Sequence, residues 1–444
     1  MQTAISSVEE TYRAESPRSL EQFERDRKSM PGGAKGAYFY KPYPLTMQRG
    51  EGCYLYDIDE RQFVDFANHH TAQILGHNHP AVNEAVQAQL ARGIALGAPV
   101  GVEVELAEEL CDRVPSLERV RFANSGTEAT LHAIRLARGF SGKPKIAKFE
   151  GGYHGSHDLV EVSVAPPLEK AGPDHAPYSV PTAGGISPNA PSEVVVLPYN
   201  DEEAAETLIR QHRDELACVI FDPKAGILSV RDDFARFVRQ VTHDNDLLLI
   251  LDEVVAFRVG RGGVQEHYGI QPDLTTYGKL VGGGFPVGAL GGRAELMDLF
   301  DTSQGPTGFF QSGTFSAHPV VMAAGLATIQ QLTPAAFEHL NRLGDRLRTG
   351  LNELFARKNF AAQAVGIGSL FSIYCTDQPL VNFRVGARHN DGAMAHQLFL
   401  SLLNQGYFLS QGLTMNALSL PMQHEHVDGL IEAVGQAVDT CTGT

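Results

Sequence analysis

The sequence TTYGKLVGGGFPVG, residues 275–288, brings one lysine, Lys279, into a turn that is followed by three glycines and a proline. Glycine allows positive φ and close backbone approach, and proline fixes its own φ, so we predict that Lys279 is held in one conformation. Shortly upstream, residues 247–255 read LLLILDEVV. This apolar run of strand length ends in two carboxylates, which predicts a buried parallel strand with Asp252 at its C-terminal end. Open α/β sheets bind their ligands at that edge.

The surrounding sequence alternates apolar strands with helical spacing, which is typical of a doubly wound α/β domain. Further strands are predicted at residues 120–123, 145–149, 194–197 and 218–221. We therefore predict a large domain with a doubly wound, mixed or parallel sheet over residues 76–332. Within it, residues 165–191 are rich in Pro, Gly, Ala and Ser and predict a long loop, which in a compact domain is more often functional than accidental.

A smaller α+β domain is predicted from the two ends of the chain together. Residues 1–75 predict a helix followed by a three-stranded antiparallel meander, because short alternating runs are separated by polar turns. Residues 333–444 begin with Thr333-Pro334, an N-cap and first-turn pair, and continue with leucines at spacings of three and four. Two strands and two more helices are predicted after this first helix.

Composition favours an enzyme that acts on small molecules. The 444 residues are 43% hydrophobic and carry a net charge of -16, which opposes electrostatic binding to nucleic acid or to anionic membranes. No apolar run reaches membrane-spanning length and no signal peptide is recognisable, so we expect a soluble, cytoplasmic protein. The five cysteines are odd in number and free of any Cys-x-x-Cys pair, which predicts reduced thiols rather than a disulfide framework or a zinc site.

An aspartate and a rigid lysine at one sheet edge predict a pyridoxal phosphate site. A carboxylate held against the pyridine nitrogen keeps that nitrogen protonated, and the resulting ring accepts the electrons of a substrate carbanion. Lys279 would bind the cofactor and then move a proton, which requires that burial or nearby positive charge lower its pKa. The alternative for Lys279 is a solvated surface charge.

Two further segments fit such a site. Ser125, Gly126 and Thr127 lie between a strand and a helical run, so backbone N–H groups and hydroxyls at a helix N-terminus could bind a phosphate; the alternative is an ordinary N-cap. Tyr153 follows the next strand, where its ring could stack on a planar cofactor. The alternative for Tyr153 is a core tyrosine beside a turn.

Four histidines lie close together in the sequence. His69, His70, His77 and His79 include a His-x-His pair, but no further ligand has matching spacing, so we predict no metal site. His69 and His70, at the end of the predicted meander, could instead face a substrate.

Six motifs, in the order in which they occur along the chain, resemble those of the class III, fold-type I pyridoxal phosphate aminotransferases. Within that family the resemblance is to the group formed by glutamate-1-semialdehyde aminomutase and the β-amino acid (β-phenylalanine) aminotransferases. The motifs are LGH with HP (75–80), RF with NSGTEA (121–129), GYHG (152–155), DEV (252–254), GK with GGG (278–284) and GTF (313–315). The resemblance covers nearly the whole chain and implies a fold-type I, pyridoxal phosphate-dependent enzyme.

The resemblance also implies residue roles. Lys279 would form the Schiff base, Asp252 would pair with the pyridine nitrogen, and Tyr153 and Val254 would cover the two faces of the ring. The other implied cofactor contacts are Ser125, Gly126 and Thr127 at the phosphate, His154, and Thr314 from a neighbouring subunit. The resemblance therefore implies a homodimer with shared active sites.

The implied activity is a ping-pong transfer of an amino group from a β-amino acid or related amine to a 2-oxo acid. Lys35 is the nearest counterpart of an arginine with which β-amino acid enzymes grip the substrate carboxylate. The predicted substrate pocket consists of Lys35, Tyr38, Tyr40, His69, His70 and Met415, each of which could equally be packing. Residues 411–416 contain no glutamate, which disfavours the alternative of an aminomutase or racemase. A non-catalytic cofactor-binding protein is a third possibility, and Lys224 has no assigned role.

Overall fold

The computed structural model describes residues 2–35, 38–223, 231–303 and 305–443, so Lys224 lies outside the described residues. The chain forms two compact units. The larger unit consists of Pro80–Phe337 and Pro379–Arg388, and the other consists of Met1–His79, Glu338–Gln378 and His389–Thr444. The short segment Pro379–Arg388 thus belongs to the larger unit, although the sequence places it within the C-terminal stretch 333–444.

A seven-stranded sheet lies at the centre of the larger unit. Its strands are β4 (Arg119–Ala123), β5 (Lys145–Phe149), β6 (Val194–Leu197), β7 (Leu216–Phe221), β8 (Leu248–Asp252), β9 (Leu274–Gly278) and β10 (Gly288–Gly292), in the order β4-β10-β9-β8-β7-β5-β6. Strand β10 is antiparallel to both β4 and β9, and the pairs from β9 to β6 are parallel. The prediction of a mixed, doubly wound sheet is confirmed.

The helices of the larger unit follow the alternation that the sequence predicts. They are α4 (Pro80–Arg92), α5 (Gly101–Arg113), α6 (Gly126–Ser141), α7 (Glu202–His212), α8 (Asp232–Asp244), α9 (Gly263–Tyr268), α10 (Ala294–Met297), α11 (Pro319–Gln331) and α13 (Phe383–His389), the last of which ends at the first residue of the other unit. Helix α12 (Pro334–Arg357) begins in this unit and continues in the other.

Strand β8 shows why the central sheet forms. All five of its residues are buried, as expected for a parallel strand covered on both faces, where near-continuous apolar runs replace alternation. Asp252, its last residue, pairs with Thr276 of β9, so the carboxyl ends of β8 and β9 lie side by side. Lys279 follows β9 directly, and the two residues that the sequence singles out therefore sit at one edge of the sheet.

The other unit contains two small sheets. The first has the order β1-β2-β3-β13, with strands β1 (Met47–Glu51), β2 (Tyr54–Asp57), β3 (Gln62–Asp65) and β13 (Tyr407–Phe408). The first three form the predicted antiparallel meander, and β13 adds to β3 in parallel. The second sheet has the order β11-β12-β14, with strands β11 (Gln363–Val365), β12 (Leu370–Tyr374) and β14 (Asn416–Ala417).

The helices of this unit come from both ends of the chain. They are α1 (Gln2–Glu15), α2 (Pro17–Asp26), the single turn α3 (Asn68–Thr71), α14 (Gly392–Asn404) and α15 (His424–Thr442). The N-terminal helix predicted from the sequence is in fact two helices, because Pro17 begins a new one. The Asn404 side chain donates a hydrogen bond to the Val8 carbonyl at 3.0 Å, which joins α14 to α1.

Two further features concern the described residues as a whole, namely the apolar character of the helices and the state of the cysteines. No single helix among them has the length and apolar composition of a membrane span, whereas α11 and α12, bent by 75°, pass that test only as a pair. All five cysteines lie in the described part of the chain, and each is a free thiol there.

Candidate functional site

Asp252 is buried at the end of β8, and its carboxylate is held by three donors. The Nδ1 atom of His154 lies 2.8 Å from Oδ2, while the Val254 backbone N–H and the Thr276 hydroxyl each donate to Oδ1 at 3.1 Å. Three fixed partners orient both carboxylate oxygens, so the group is available as a rigid acceptor or counter-ion at the sheet edge.

His154 is buried behind this carboxylate. Its Nε2 atom has no hydrogen-bond partner among the described residues, and its backbone carbonyl accepts a hydrogen bond from the Thr130 hydroxyl at 2.6 Å. The imidazole therefore has one strong contact, to Asp252, and that contact sets the direction of the carboxylate.

Lys279 lies in the left-handed region with φ 52°, a conformation that costs a non-glycine residue about 1–2 kcal/mol. Such strain persists where the surroundings over-determine the backbone, often at functional sites. Burial lowers the pKa of the Lys279 ammonium, while the carboxylates of Asp252 and Asp222 oppose this shift. A lysine that moves a proton near neutral pH needs a lowered pKa, and burial supplies this shift for Lys279.

The segment Ser125–Thr127 begins helix α6. The Ser125 hydroxyl accepts a hydrogen bond from the Glu128 backbone N–H at 3.1 Å, so the N-cap interpretation is correct as far as it goes. The Thr127 hydroxyl accepts from the Ser156 backbone N–H at 3.3 Å. A Cβ added to Gly126 would lie 3.0 Å from a Val254 methyl, which places this helix start against the second residue after strand β8. The remaining first-turn N–H groups are donors of the kind that bind anions at helix N-termini.

Tyr153 and Thr314 are both exposed in the single chain. Tyr153 has 53% of its surface exposed, so the alternative of a core tyrosine is wrong and its ring face is free to cover a ligand. Thr314 is exposed on a segment whose Gly313 lies beside the Asn124 side chain of the same chain. Its predicted contact with a neighbouring subunit stays a prediction.

The sequence assigns no role to two polar residues at this edge. Thr276, which donates to Asp252, is one of two adjacent buried threonines in β9, and only its position opposite Asp252 sets it apart from Thr275. Glu253 is buried next to Asp252 and accepts from the Val264 N–H at 2.8 Å, so it caps α9. Burial raises the pKa of Glu253 to about 7.

The predicted substrate residues lie in the other unit, where four of them line one cavity of about 390 Å³. The four are Tyr38, Tyr40, His69 and His70. The Tyr38 hydroxyl lies 3.0 Å from His69 Nδ1, and its ring centroid is 4.7 Å from that of His70. Lys35 Nζ lies 4.4 Å above the Tyr38 ring. Met415 is not among the described residues that line this cavity.

The turn that carries the two histidines is strained. Asn68, His69, His70 and Thr71 have φ angles of 50°, 49°, 52° and 71°, an uncommon run of non-glycine residues in the left-handed region. The Asn68 backbone N–H donates to the Asp65 carboxylate at 2.9 Å, and the Asn68 side chain donates to two carbonyls. Partial burial, followed by the nearby Lys35 ammonium, lowers the pKa of His69.

The His-x-His pair takes no part in a metal cluster within the described ranges. His77 Nε2 lies 2.7 Å from Asp65 Oδ2, so Asp65 joins His77 to the strained turn. No group of three or more His, Cys, Asp or Glu side chains in the described part of the chain could hold a metal ion.

The residues at the sheet edge fit pyridoxal phosphate by their chemistry. Asp252 offers a fixed carboxylate to a pyridine nitrogen, Tyr153 offers a free ring face, the start of α6 offers N–H groups to a phosphate, and Lys279 offers an amine whose pKa is lowered. With the mixed seven-stranded sheet, they define a fold-type I pyridoxal phosphate-dependent enzyme.

The chain belongs to the aminotransferase class-III family, whose model matches residues 37–438. It is 39% identical to the glutamate-1-semialdehyde 2,1-aminomutase of Methanocaldococcus jannaschii, over 88% of this chain and 91% of that protein. Among solved structures, an omega-transaminase from Sphaerobacter thermophilus is 42% identical with a TM-score of 0.92, covering 96% of this chain and 98% of that one. A β-phenylalanine aminotransferase from Variovorax paradoxus is 36% identical with a TM-score of 0.88, covering 98% and 96%.

These similarities confirm the family, the fold-type I architecture, a transaminase-type enzyme and pyridoxal 5'-phosphate as its cofactor. They do not confirm the β-amino acid transaminase that the sequence favoured. The curated relatives carry the aminomutase name, so they support the alternative better than the main prediction.

Proposed function

We propose that Lys279 and Asp252 carry the chemistry of an amino-group transfer on a small amino compound. The observation that supports this most directly is their placement at the neighbouring carboxyl ends of β8 and β9. Pyridoxal phosphate, when bound, accepts the electron pair left on a substrate carbon after a proton is removed. Lys279, whose pKa is lowered by burial, takes and returns that proton at Nζ.

The other residues of this edge orient the cofactor in our proposal. The Asp252 carboxylate, held by His154, Val254 and Thr276, pairs with the pyridine nitrogen and keeps it protonated. The Tyr153 ring covers one face, which is worth about 1 kcal/mol beyond area burial. Val254, together with Ser125, Gly126 and Thr127 at the start of α6, completes the proposed cofactor contacts.

The first candidate for the finer function is an aminomutase that moves an amino group between adjacent carbons of one molecule. Its support is the set of curated relatives named glutamate-1-semialdehyde 2,1-aminomutase, 35–39% identical over most of the chain. Such an enzyme needs no 2-oxo acid, because the amino group returns to the same carbon skeleton.

The second candidate is a ping-pong transaminase that uses a β-amino acid or related amine as donor and a 2-oxo acid as acceptor. Its support is the higher identity, 42%, to the Sphaerobacter thermophilus omega-transaminase. A further supporting feature is the absence of glutamate from residues 411–416, a departure from the aminomutase pattern.

One pair of assays separates the two candidates. The holoenzyme is given glutamate 1-semialdehyde alone, and formation of the isomer with the amino group on carbon 1 is measured. In parallel it is given pyruvate with and without β-phenylalanine, and alanine is measured. Isomer formation without a 2-oxo acid identifies the aminomutase, and alanine formation that requires β-phenylalanine identifies the transaminase. Lys279→Ala is the control for both, and activity that survives in it would refute the proposed role of Lys279.

We also propose that the cavity lined by Tyr38, Tyr40, His69 and His70, in the unit that contains both chain ends, binds substrate. Its support is the strained turn that presents His69 and His70 to it, together with the Tyr38 hydroxyl and the Lys35 ammonium. Tyr38→Phe keeps the ring and removes the hydroxyl, so KM should rise about tenfold with little change in kcat. An unchanged KM in this variant would argue that these residues only pack.

A homodimer is proposed on the exposed apolar side chains of α4, α5 and the connection between them. Leu90, Ile94, Leu96 and Val104 are each about half exposed, a cluster typical of a protein interface. Thr314 of one subunit would contact the phosphate in the other. Light scattering on Leu96→Glu should report monomer where the wild type is a dimer. A cytoplasmic location stays a prediction.

A further inference from the structure

Two buried cations flank residues 150–155 of the larger unit, the segment that carries Tyr153 and His154. One is Lys148, the fourth residue of β5, and the other is Arg384, on helix α13. Neither residue reaches a surface, and neither belongs to the six motifs that identify the family. Their contacts show what the two charges hold in place.

Lys148 is fully buried, with 0% exposure. Its ammonium donates to the carbonyls of Val162 at 2.6 Å, Gly152 at 2.9 Å and Phe149 at 3.5 Å. An ammonium taken out of water is costly unless it is hydrogen-bonded, so these carbonyls are strongly constrained to face it. One of them, Gly152, directly precedes Tyr153.

Arg384 is 2% exposed and forms a two-pronged ion pair with Glu150, which is 4% exposed. Nε lies 2.7 Å from Oε2, and Nη2 lies 2.9 Å from Oε1. The guanidinium also donates to the carbonyls of Ala171 and Gly172 at 2.7 Å and 2.6 Å. The arginine thus joins the end of β5 to the long loop that the sequence predicts at 165–191.

Gly151 lies between Glu150, which Arg384 binds, and Gly152, whose carbonyl Lys148 binds, and its φ is 77°. A Cβ at this position would lie 2.7 Å from the Cβ of Phe383, the residue before Arg384, so helix α13 packs directly on the backbone here. On its other side the Gly151 N–H donates to the Ser163 carbonyl at 2.8 Å. The backbone is therefore held from several directions at the residue after Glu150.

We propose that Arg384 and Lys148 are positioning residues for the cofactor. They hold the backbone at 150–152 so that Tyr153, one residue on, presents its ring and His154 reaches Asp252 at 2.8 Å. This inference rests on the cofactor roles proposed above for Tyr153, His154 and Asp252. Because α13 comes from a segment far along the chain, the cofactor site depends on a residue outside the contiguous sequence 80–337.

Three variants test the role of Arg384. Arg384→Gln and Glu150→Gln each weaken the pair, and Arg388→Gln is the matched control. Arg388 lies on the same helix with a side chain 42% exposed, and its hydrogen bonds among the described residues go to Asp174. Arg384 shares that carboxylate, so the control removes a neighbouring charge without touching Glu150.

The readouts are chosen to separate positioning from stability. They are the dissociation constant of pyridoxal phosphate, the visible circular dichroism of the bound cofactor, and hydrogen exchange of residues 150–164 in the cofactor-free protein. We expect Arg384→Gln and Glu150→Gln to weaken cofactor binding about tenfold, as loss of one aligned stacking contact and one hydrogen bond would. Exchange should accelerate in both, and Arg388→Gln should stay within about twofold of wild type. The double variant Arg384→Gln/Glu150→Gln should bind the cofactor as weakly as each single variant, because both substitutions disrupt the same ion pair.

The opposite pattern would overturn the inference. If Arg384→Gln and Glu150→Gln unfold at lower temperature but retain wild-type cofactor affinity and dichroism, the pair is structural only. Should Arg384→Gln fail to fold, Glu150→Gln and Lys148→Met carry the test on the same readouts, and wild-type affinity in both would refute it. Absence of any visible cofactor absorbance in the reconstituted wild type would instead refute the proposed function itself.

Discussion

Replacing Thr276 with valine should slow catalysis by removing one hydrogen bond from Asp252. The structure gives this carboxylate three donors, and the Thr276 hydroxyl is one of the two on Oδ1, at 3.1 Å. A hydrogen bond to a charged group contributes about 1.5–3 kcal/mol. Since the Val254 N–H remains on Oδ1, the lower end applies. A loss of about 1.4 kcal/mol of transition-state stabilisation corresponds to a tenfold change, so we expect kcat/KM to fall about tenfold.

The matched control is Thr275→Val. Thr275 precedes Thr276 on β9 and is also fully buried, but successive strand residues point to opposite faces. The assay measures kcat/KM of the reconstituted holoenzyme with whichever substrate, glutamate 1-semialdehyde or β-phenylalanine, the wild type converts. The cofactor dissociation constant is measured in the same variants. Equal kcat/KM in Thr276→Val and Thr275→Val would refute the reasoning, because it would show that the orientation of the Asp252 carboxylate does not limit the reaction.

Three other predictions concern single groups. Burial lowers the pKa of Lys279. The rate at which the cofactor-free protein binds pyridoxal phosphate covalently should therefore rise with pH, with a midpoint below about 10.4, the pKa of free lysine. A midpoint at about 10.4 would show that burial does not lower the pKa of this lysine. Tyr153→Ala should weaken cofactor binding about fivefold and Tyr153→Phe hardly at all, since the ring supplies the contact; equal losses by equilibrium dialysis would point to the hydroxyl. Burial raises the pKa of Glu253 to about 7, so the folded protein keeps a proton that the unfolded chain releases above about pH 4.3. The free energy of unfolding should therefore fall as pH rises from about 4.3 to about 7. Glu253→Gln should remove that loss in urea unfolding between pH 4.5 and about 7, and parallel pH profiles for the two proteins would refute it.

The fold class was predictable because its signals are local. The apolar run of β8 and the glycine-rich turn after β9 mark a buried strand and a rigid exit, and the alternation of such units indicates a doubly wound sheet. The sequence predicts one N-terminal helix where the structure has two, because a proline such as Pro17 is compatible with the first turn of a new helix but not with a helix interior. The assignment of Pro379–Arg388 to the larger unit had no signal in the sequence, since it depends on contacts with residues far away in the sequence, such as the pairing of Arg384 with Glu150.

The candidate site was predictable in part for the same reason. Lys279, Asp252 and Ser125 stand at strand or helix ends that periodicity locates. The exposure of Tyr153 was not predictable, because a ring beside a turn is equally compatible with a core. The sequence predicts Met415 as a substrate residue together with Tyr38 and His69. Tyr38 and His69 line the cavity, whereas Met415 is not among the described residues that line it.

By itself the sequence determined the class of fold, the pair Lys279 and Asp252 and the cofactor that they imply, because chain periodicity, turn residues and short motifs act between residues close in sequence. Tertiary structure alone decided which polar groups hold the Asp252 carboxylate. Thr276 and His154 meet Asp252 only after the strands pair, and Arg384 reaches Glu150 across 234 positions of sequence. The physical reason is that a buried charge takes whatever partner the packed chain brings within about 3 Å, and the sequence pattern around either residue carries no information about that partner.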